Sequence, residues 1–271
     1  MKIAVAQLNS NDDIEFNYQQ IHTLVTQAGS RPEREKPKII FFPENSLYFR
    51  IDSSESMPRI EITSEQIKKL ELLSEQTGIY IHFTSSLYFR DKNWNASVLI
   101  SPDGQSQVVY QKIHLFDIKL NEERAIRESD VFAHGENVTT FEIDAITFGS
   151  SICYDVRFAE LYSELARKNV DVILVPAAFL VKTGRAHWEV LLRARAIENQ
   201  CYVVAPAQAG IHRSHNKDSQ RETYGHTMVV DPWGSVMASL ASGVGIIYAE
   251  INTDFRKDVQ KQIPMFEHRR L

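Results

Sequence analysis

The sequence predicts an α/β fold in which two β-sheets pack together with helices outside. Three observations predict it. Short apolar runs of strand length alternate with segments whose apolar residues recur at helical spacing. Tight turns join some neighbouring runs and helical segments join others, so hairpins and crossovers occur together. No repeat of roughly 20–50 residues and no low-complexity linker interrupts the chain, so residues 1–271 read as one domain.

The elements follow in order. Residues 2–8 are a short apolar strand, and Ile14, Tyr18, Ile21, Leu24, Val25 and Ala28 then recur at helical spacing. Residues 39–42 form a buried strand that ends at Pro43-Glu44. Thr63 and Gln66 are spaced for a capping box, Ile67, Leu70 and Leu73 continue that helix, and Gly78 can end it. Residues 79–83 and 96–100 read as strands, and Ser101-Pro102-Asp103-Gly104 turns into a strand at 107–112. In the second half, residues 140–143 and 146–152 are β-rich. Residues 158–168 are helical, 170–176 a strongly apolar strand, and 186–199 a helix with Val190, Leu191, Ala194 and Ile197 facing inward. Further strands lie at 202–207, 226–230 and 245–251, with a turn at Asp231-Pro232-Trp233-Gly234. The polar stretches at 30–38, 117–130 and 212–223 read as surface loops, with His212 and His215 in solvated positions. Periodicity alone leaves the strand order open.

Bulk properties exclude several classes of function. A hydrophobic fraction of 43% and a charged fraction of 24% are globular averages. The formal charge of −5, with both signs interspersed, lacks the basic face that nucleic-acid binding needs. No apolar stretch approaches the roughly 20 residues of a membrane helix. No secretory leader precedes Cys153 and Cys201, so the chain reads as a cytoplasmic protein with reduced thiols.

Three reactive side chains share one kind of position. Glu44 follows Ile39-Ile40-Phe41-Phe42-Pro43, Lys112 follows Val108-Val109-Tyr110-Gln111, and Cys153 follows Phe148-Gly149-Ser150-Ser151-Ile152. Each sits at the carboxyl end of an apolar run, where α/β folds place their ligand crevices. Cys153 leads from a strand into a helical segment, where backbone N–H groups can face an oxyanion and cations can favour a thiolate. Taken alone, it reads first as a small core hydrophobe, as most single cysteines are. Cys201, at the start of an ordinary apolar strand, reads as core. Glu44 is either an exposed strand-end charge or a buried base whose pKa an apolar pocket raises. Lys112 is either solvated or a fixed cation beside a developing charge. No H-E-x-x-H, Walker-type run, dinucleotide loop or metal-spaced Cys/His cluster occurs. Asn95-Ala96-Ser97 fits a glycosylation acceptor pattern, which carries no weight without secretion.

With these residues aligned, the sequence resembles the nitrilase superfamily of carbon–nitrogen hydrolases over its whole length. The markers are Phe42-Pro43-Glu44, Tyr110-Gln111-Lys112-Ile113-His114-Leu115-Phe116-Asp117 and Ile152-Cys153-Tyr154-Asp155-Val156-Arg157-Phe158. The resemblance implies a four-layer α-β-β-α sandwich, paired as a homodimer through helices near the nucleophile. It implies a mechanism without metal or organic cofactor. Glu44 takes the thiol proton of Cys153, and the thiolate attacks the substrate carbonyl carbon. Lys112 and the Tyr154 backbone N–H hold the oxyanion. Glu44 protonates the departing ammonia, then activates water to cleave the thioester. It also implies a second glutamate, Glu128, which the residues alone do not single out from Glu122 or Glu123.

The second half is similar to the Nit-type amidases, at Pro176-Ala177-Ala178-Phe179, Thr183-Gly184, 187–198 and Tyr224-Gly225-His226. Deaminated glutathione amidases are the nearest likeness and ω-amidases the next. That likeness implies a small anionic amide as substrate, with Arg157, Phe179 and Thr183 lining its site. A guanidinium can grip a carboxylate bidentately, although Arg157 can also pair internally with Asp155. Leu180-Val181-Lys182, Arg185 and the glycine-free, charged segment at 121–127 depart from the pattern near the substrate mouth. A catalytically silent binding protein on the same fold, and a nitrile hydrolase using the same residues, are the remaining alternatives.

Overall fold

The computed structural model describes residues 1–119 and 125–270. The first half runs β1 (Lys2–Gln7), α1 (Ile14–Gly29), β2 (Ile39–Phe41), α2 (Glu65–Thr77), β3 (Tyr80–Phe89), β4 (Lys92–Ile100) and β5 (Ser106–Gln111). A small hairpin follows, β6 (Asp117–Lys119) with β7 (Ala125–Arg127). The second half runs β8 (Thr140–Ile143), β9 (Ile146–Ser150), α3 (Ala159–Arg167), β10 (Val172–Leu174), α4 (Val181–Asn199) and β11 (Tyr202–Ala205). It continues with β12 (Ala209–Arg213), β13 (Gln220–Tyr224), β14 (Thr227–Val230), β15 (Val236–Leu240), β16 (Gly245–Glu250), α5 (Thr253–Gln262) and α6 (Met265–His268).

Two six-stranded sheets result, ordered β16-β1-β2-β3-β4-β5 and β15-β14-β11-β10-β9-β8. Parallel neighbours are connected through helices, as parallel pairing requires. The two-residue side-chain period then sorts each central strand onto two faces. Ile3, Val5, Ile39 and Phe41 meet Phe148, Val172, Leu174 and Val204 between the sheets. Ala4, Ala6 and Ile40 face Ile21, Leu24, Leu70 and Leu73 of α1 and α2. Ile173, Val203 and Ala205 face Leu165 of α3 and Trp188 and Leu192 of α4. The layers are therefore α-β-β-α. A one-residue slip in any central strand would exchange its two faces.

Local details differ from the sequence expectations at four places. The capping box at Thr63 and Gln66 does not form. Ser64 caps α2, one residue later, so the required spacing is out of frame. Gly78 does end that helix, with φ of 67°. Strands β3 and β4 extend to a tight hairpin through Arg90 and Asp91, both at positive φ (51° and 58°). A turn of that kind favours Gly or Asn, so the sequence does not announce it. Helix α4 turns a different face inward: it buries Trp188, Leu192, Arg195, Ala196 and Asn199, while Val190 and Ile197 are 67% and 46% exposed. Its inner face includes polar residues satisfied locally, since the Arg195 guanidinium donates to the Val156 carbonyl at 3.0 and 2.8 Å. His212 is buried rather than solvated, with Nδ1 2.7 Å from Ser10 O and Nε2 2.7 Å from Thr223 Oγ1. Residues 212–223 are mostly a β12–β13 hairpin instead of a loop.

Candidate active site

The strand directions bring the three reactive side chains together. Strand β2 is parallel to β3, and β5 is antiparallel to β4, itself antiparallel to β3. Strands β2 and β5 therefore run the same way and end at one edge. Glu44 follows the end of β2, Lys112 is the residue after β5, and Cys153 follows β9 in the facing sheet. All three are nearly inaccessible, at 4%, 2% and 8% exposure.

Cys153 opens a short 3-10 turn, Cys153–Arg157, with φ of 49°. A side chain rarely adopts that backbone conformation, and it persists where surrounding bonds impose it. They do so here. The Cys153 N–H donates to Pro176 O at 2.9 Å. Asp155, fully buried, accepts from the Ile152 N–H at 2.9 Å, the Tyr110 hydroxyl at 2.8 Å and the His114 N–H at 3.0 Å, with His114 Nδ1 2.7 Å away. One carboxylate thus ties the Cys153 turn to the segment that carries Lys112.

Around Lys112 the polar groups form a closed ring. Lys112 Nζ donates to Glu44 Oε1 at 2.8 Å and to Glu128 at 3.0 Å (Oε1) and 2.8 Å (Oε2). Asn95 Nδ2 donates to the same two Oε1 atoms, each at 2.8 Å. The Ala178 N–H donates to Glu44 Oε2 at 3.0 Å, and the Phe116 N–H to Glu128 Oε2 at 2.6 Å. The Cys153 thiol lines the same cavity as Glu44 and Lys112, close enough for the thiol and the Glu44 carboxyl to shift each other's protonation.

These contacts set the protonation states. Burial pushes Glu44 up, but the charge of Lys112 and hydrogen bonds from Lys112, Cys153 and Asn95 outweigh it, and the carboxyl lies below its usual range. Burial pulls Lys112 down, but the Glu128 and Glu44 carboxylates hold it well above an ordinary lysine. Burial and then the Glu44 charge raise the Cys153 thiol well above its usual value, against the opposing charge of Lys112. The resting site is thiol, carboxylate and ammonium. Two expectations are corrected here. Glu44 is lowered, not raised, because its pocket is ionic rather than apolar. The turn does not make a resting thiolate, because burial disfavours a charged sulfur and the Glu44 charge adds more to that than Lys112 takes away.

Above these groups opens a cavity of about 790 Å³. Tyr154, Arg157, Phe179 and Thr183 line it together with Glu44, Lys112, Glu128 and Cys153. Arg157 does not pair with Asp155, whose oxygens are engaged elsewhere. Its guanidinium lies 5.7 Å from the Tyr154 ring centroid and 5.2 Å from that of Phe179, with Nη1 3.1 Å from His187 Nδ1. The Thr183 hydroxyl donates to Leu180 O at 3.2 Å. Among the departures from the family pattern, Leu180 lines the cavity and Arg185 is exposed on α4. Residues 121–124 of the charged segment, including Glu122 and Glu123, lie outside the described residues. Among the described residues, no group of three or more His, Cys, Asp or Glu side chains is placed to hold a metal ion.

Sequence reasoning missed Asn95, Asp155 and the Ala178 N–H. A polar residue opening the apolar run 96–100 was a signal for Asn95. The Ala178 donor is a backbone group, which no side-chain pattern marks.

Comparison with known proteins agrees with this construction. The carbon-nitrogen hydrolase family model matches residues 2–260. A deaminated glutathione amidase of Synechocystis is 36% identical over 273 residues, spanning 98% of this chain and 97% of that protein. The human deaminated glutathione amidase is 34% identical, over 99% and 82%. The crystal structure of Caenorhabditis elegans NitFhit superposes with a TM-score of 0.88 at 35% identity, over 99% of this chain and 65% of that one. This chain thus spans just under two thirds of that fusion protein. The chain belongs to the carbon–nitrogen hydrolase family. Within the nitrilase superfamily it is of the Nit type, similar to deaminated glutathione amidases, and it is an enzyme of the amidase kind.

Proposed function

We propose that the chain hydrolyses a small anionic amide, deaminated glutathione, through a thioester on Cys153. The observation that carries this reading is a buried thiol that shares a cavity floor with a glutamate paired to a buried lysine at 2.8 Å, under a wall that bears an arginine. Glu44 is poised as a base, because the ionised carboxyl shares the buried cavity floor with the thiol whose proton it would take. As the sulfur attacks the carbonyl carbon, the oxyanion is held by Lys112 and the Tyr154 N–H. The C–N bond breaks, Glu44 returns the proton to the departing amine, and the thioester remains. Glu44 then takes a proton from water, which attacks the thioester carbon and releases the acid and the free thiol.

Deaminated glutathione and 2-oxoglutaramate share one acyl half and form the same thioester. They differ in the leaving group, cysteinylglycine or ammonia. Arg157, backed by Phe179, suits the carboxylate common to both. The cavity volume and the names of the relatives favour the longer substrate. Assaying both products tests this: cysteinylglycine release should exceed ammonia release in kcat/KM. The reverse order would reassign the enzyme as an ω-amidase. Turnover of a nitrile or carbamoyl compound, with neither amide cleaved, would overturn the substrate class.

A further inference from the structure

We infer that Asn95 is a positioning residue for the reaction, holding Glu44 ionised and fixing which of its oxygens serves the thiol. This rests on the reading of Glu44 as the base. The geometry is the closed ring described above. Lys112 Nζ and Asn95 Nδ2 both bridge the same pair of carboxylate oxygens, with edges of 2.8, 3.0, 2.8 and 2.8 Å. Two carboxylates this close repel, and one ammonium neutralises only one of them. The second bridge is neutral and supplies both its N–H bonds to the pair. It adds a hydrogen bond to the charged form of Glu44, and such a bond lowers a carboxyl pKa. Glu44 Oε1 is thereby taken by two nitrogens, while Oε2 receives only the Ala178 N–H among the described residues and is the oxygen left open to the thiol.

A second observation shows that the ring dictates the amide's orientation. Asn95 is 2% exposed and its Oδ1 is buried with no hydrogen-bond partner among the described residues. An unpartnered buried acceptor is costly, so it persists only where stronger contacts impose it. The opposite orientation would set three oxygens against one another. The backbone secures the placement, since the Lys112 N–H donates to Asn95 O at 2.9 Å. The burial that serves this role also removes Asn95 from any glycosylating enzyme in the folded protein.

The test is the pH dependence of kcat/KM for N95A and N95D, with E44Q as the reference. Activity that needs ionised Glu44 rises with pH through the pKa of that group. Removing the donor should move this acid limb up by about one pH unit, and N95D, which adds an acceptor, should move it further. In both, kcat should fall while KM stays near that of the parent. A fall in activity with an unmoved acid limb, in either variant that folds, overturns the proposal, because a merely structural asparagine would leave the limb in place. Should neither variant fold, N95S is read the same way. E44Q keeps the two questions apart: an E44Q enzyme that retains both turnover and the acid limb refutes the base itself, whereas loss of both in E44Q with an unmoved limb in the Asn95 variants refutes only the role of Asn95.

Discussion

Counted from β16 to β5 in one sheet and from β8 to β15 in the other, neighbouring strands run antiparallel, parallel, parallel, antiparallel, antiparallel in both. The register extends the match. Ile3 pairs with Ile39 as Phe148 pairs with Val172. On that alignment Phe42-Pro43-Glu44 corresponds to Val175-Pro176-Ala177, and Cys153 corresponds to Leu8. The second half has alanine where the first has the Glu44 carboxylate. The first has a fully buried leucine where the second has its thiol. The two halves build the same strand exits, and the chemistry comes from where they differ. A fold of this kind offers positions, and the residues placed there decide the function.

The sharpest way to break this division of labour is Cys153→Ala, which makes the second exit as inert as Leu8 makes the first. Turnover should fall by roughly 10⁴-fold or more, with a thermal midpoint close to the parent because little core volume is removed. Retained turnover would mean that another group attacks the substrate. Next is Glu44→Gln, which makes the first half resemble the second at Ala177. It should cost about 10²–10⁴-fold in kcat, measured by single-turnover kinetics so that acylation and thioester hydrolysis are both followed. A loss in only one of the two steps would reject a shared base. Arg157→Gln should raise KM by about tenfold to a hundredfold and leave kcat near the parent. An equal loss in kcat would place Arg157 among the groups that act on the transition state.

A separate effect, on stability rather than on turnover, concerns the faces that the sheets turn towards each other. His82 on β3 is buried between Phe41 and Phe141, and burial pushes its pKa down to about 3. The unfolded chain takes up that proton near pH 6.5 and the folded one does not. Stability should therefore hold above pH 6.5 and decline as pH falls towards 3, by up to ~1.4 kcal/mol per pH unit from this group. Denaturant titrations of the parent and His82→Leu between these limits should show the slope flattened in the variant. Equal slopes would rule out His82 as the source.

What the sequence disclosed follows from burial. Strand β10 is apolar on both faces and reads directly as Val172-Ile173-Leu174, and the exits after β2 and β9 stand out because Glu44 and Cys153 interrupt such runs. Strands β12 and β13, AGIHR and QRETY, carry no sustained apolar alternation and resemble a loop until they pair. Helix α4 misled because its apolar row, Val190 and Ile197, points outward while Arg195 is buried by a bond to a carbonyl that only the tertiary fold supplies. Asn95 was hidden for a related reason: its partners are 51 and 33 residues away, and its meaning lies in the β4–β5 register.

Lys112 sits between two carboxylates, each at 2.8 Å. The far end of the cavity therefore carries one more negative charge than positive, while Arg157 stands on the wall. An anionic amide entering this space meets a polarity. Its acid group is turned back at the floor and caught at the side, so the amide arrives foremost. A neutral amide of the same size feels no such torque and enters either way round. On the proposed substrate class, this polarity would select the direction of the guest before its shape is tested.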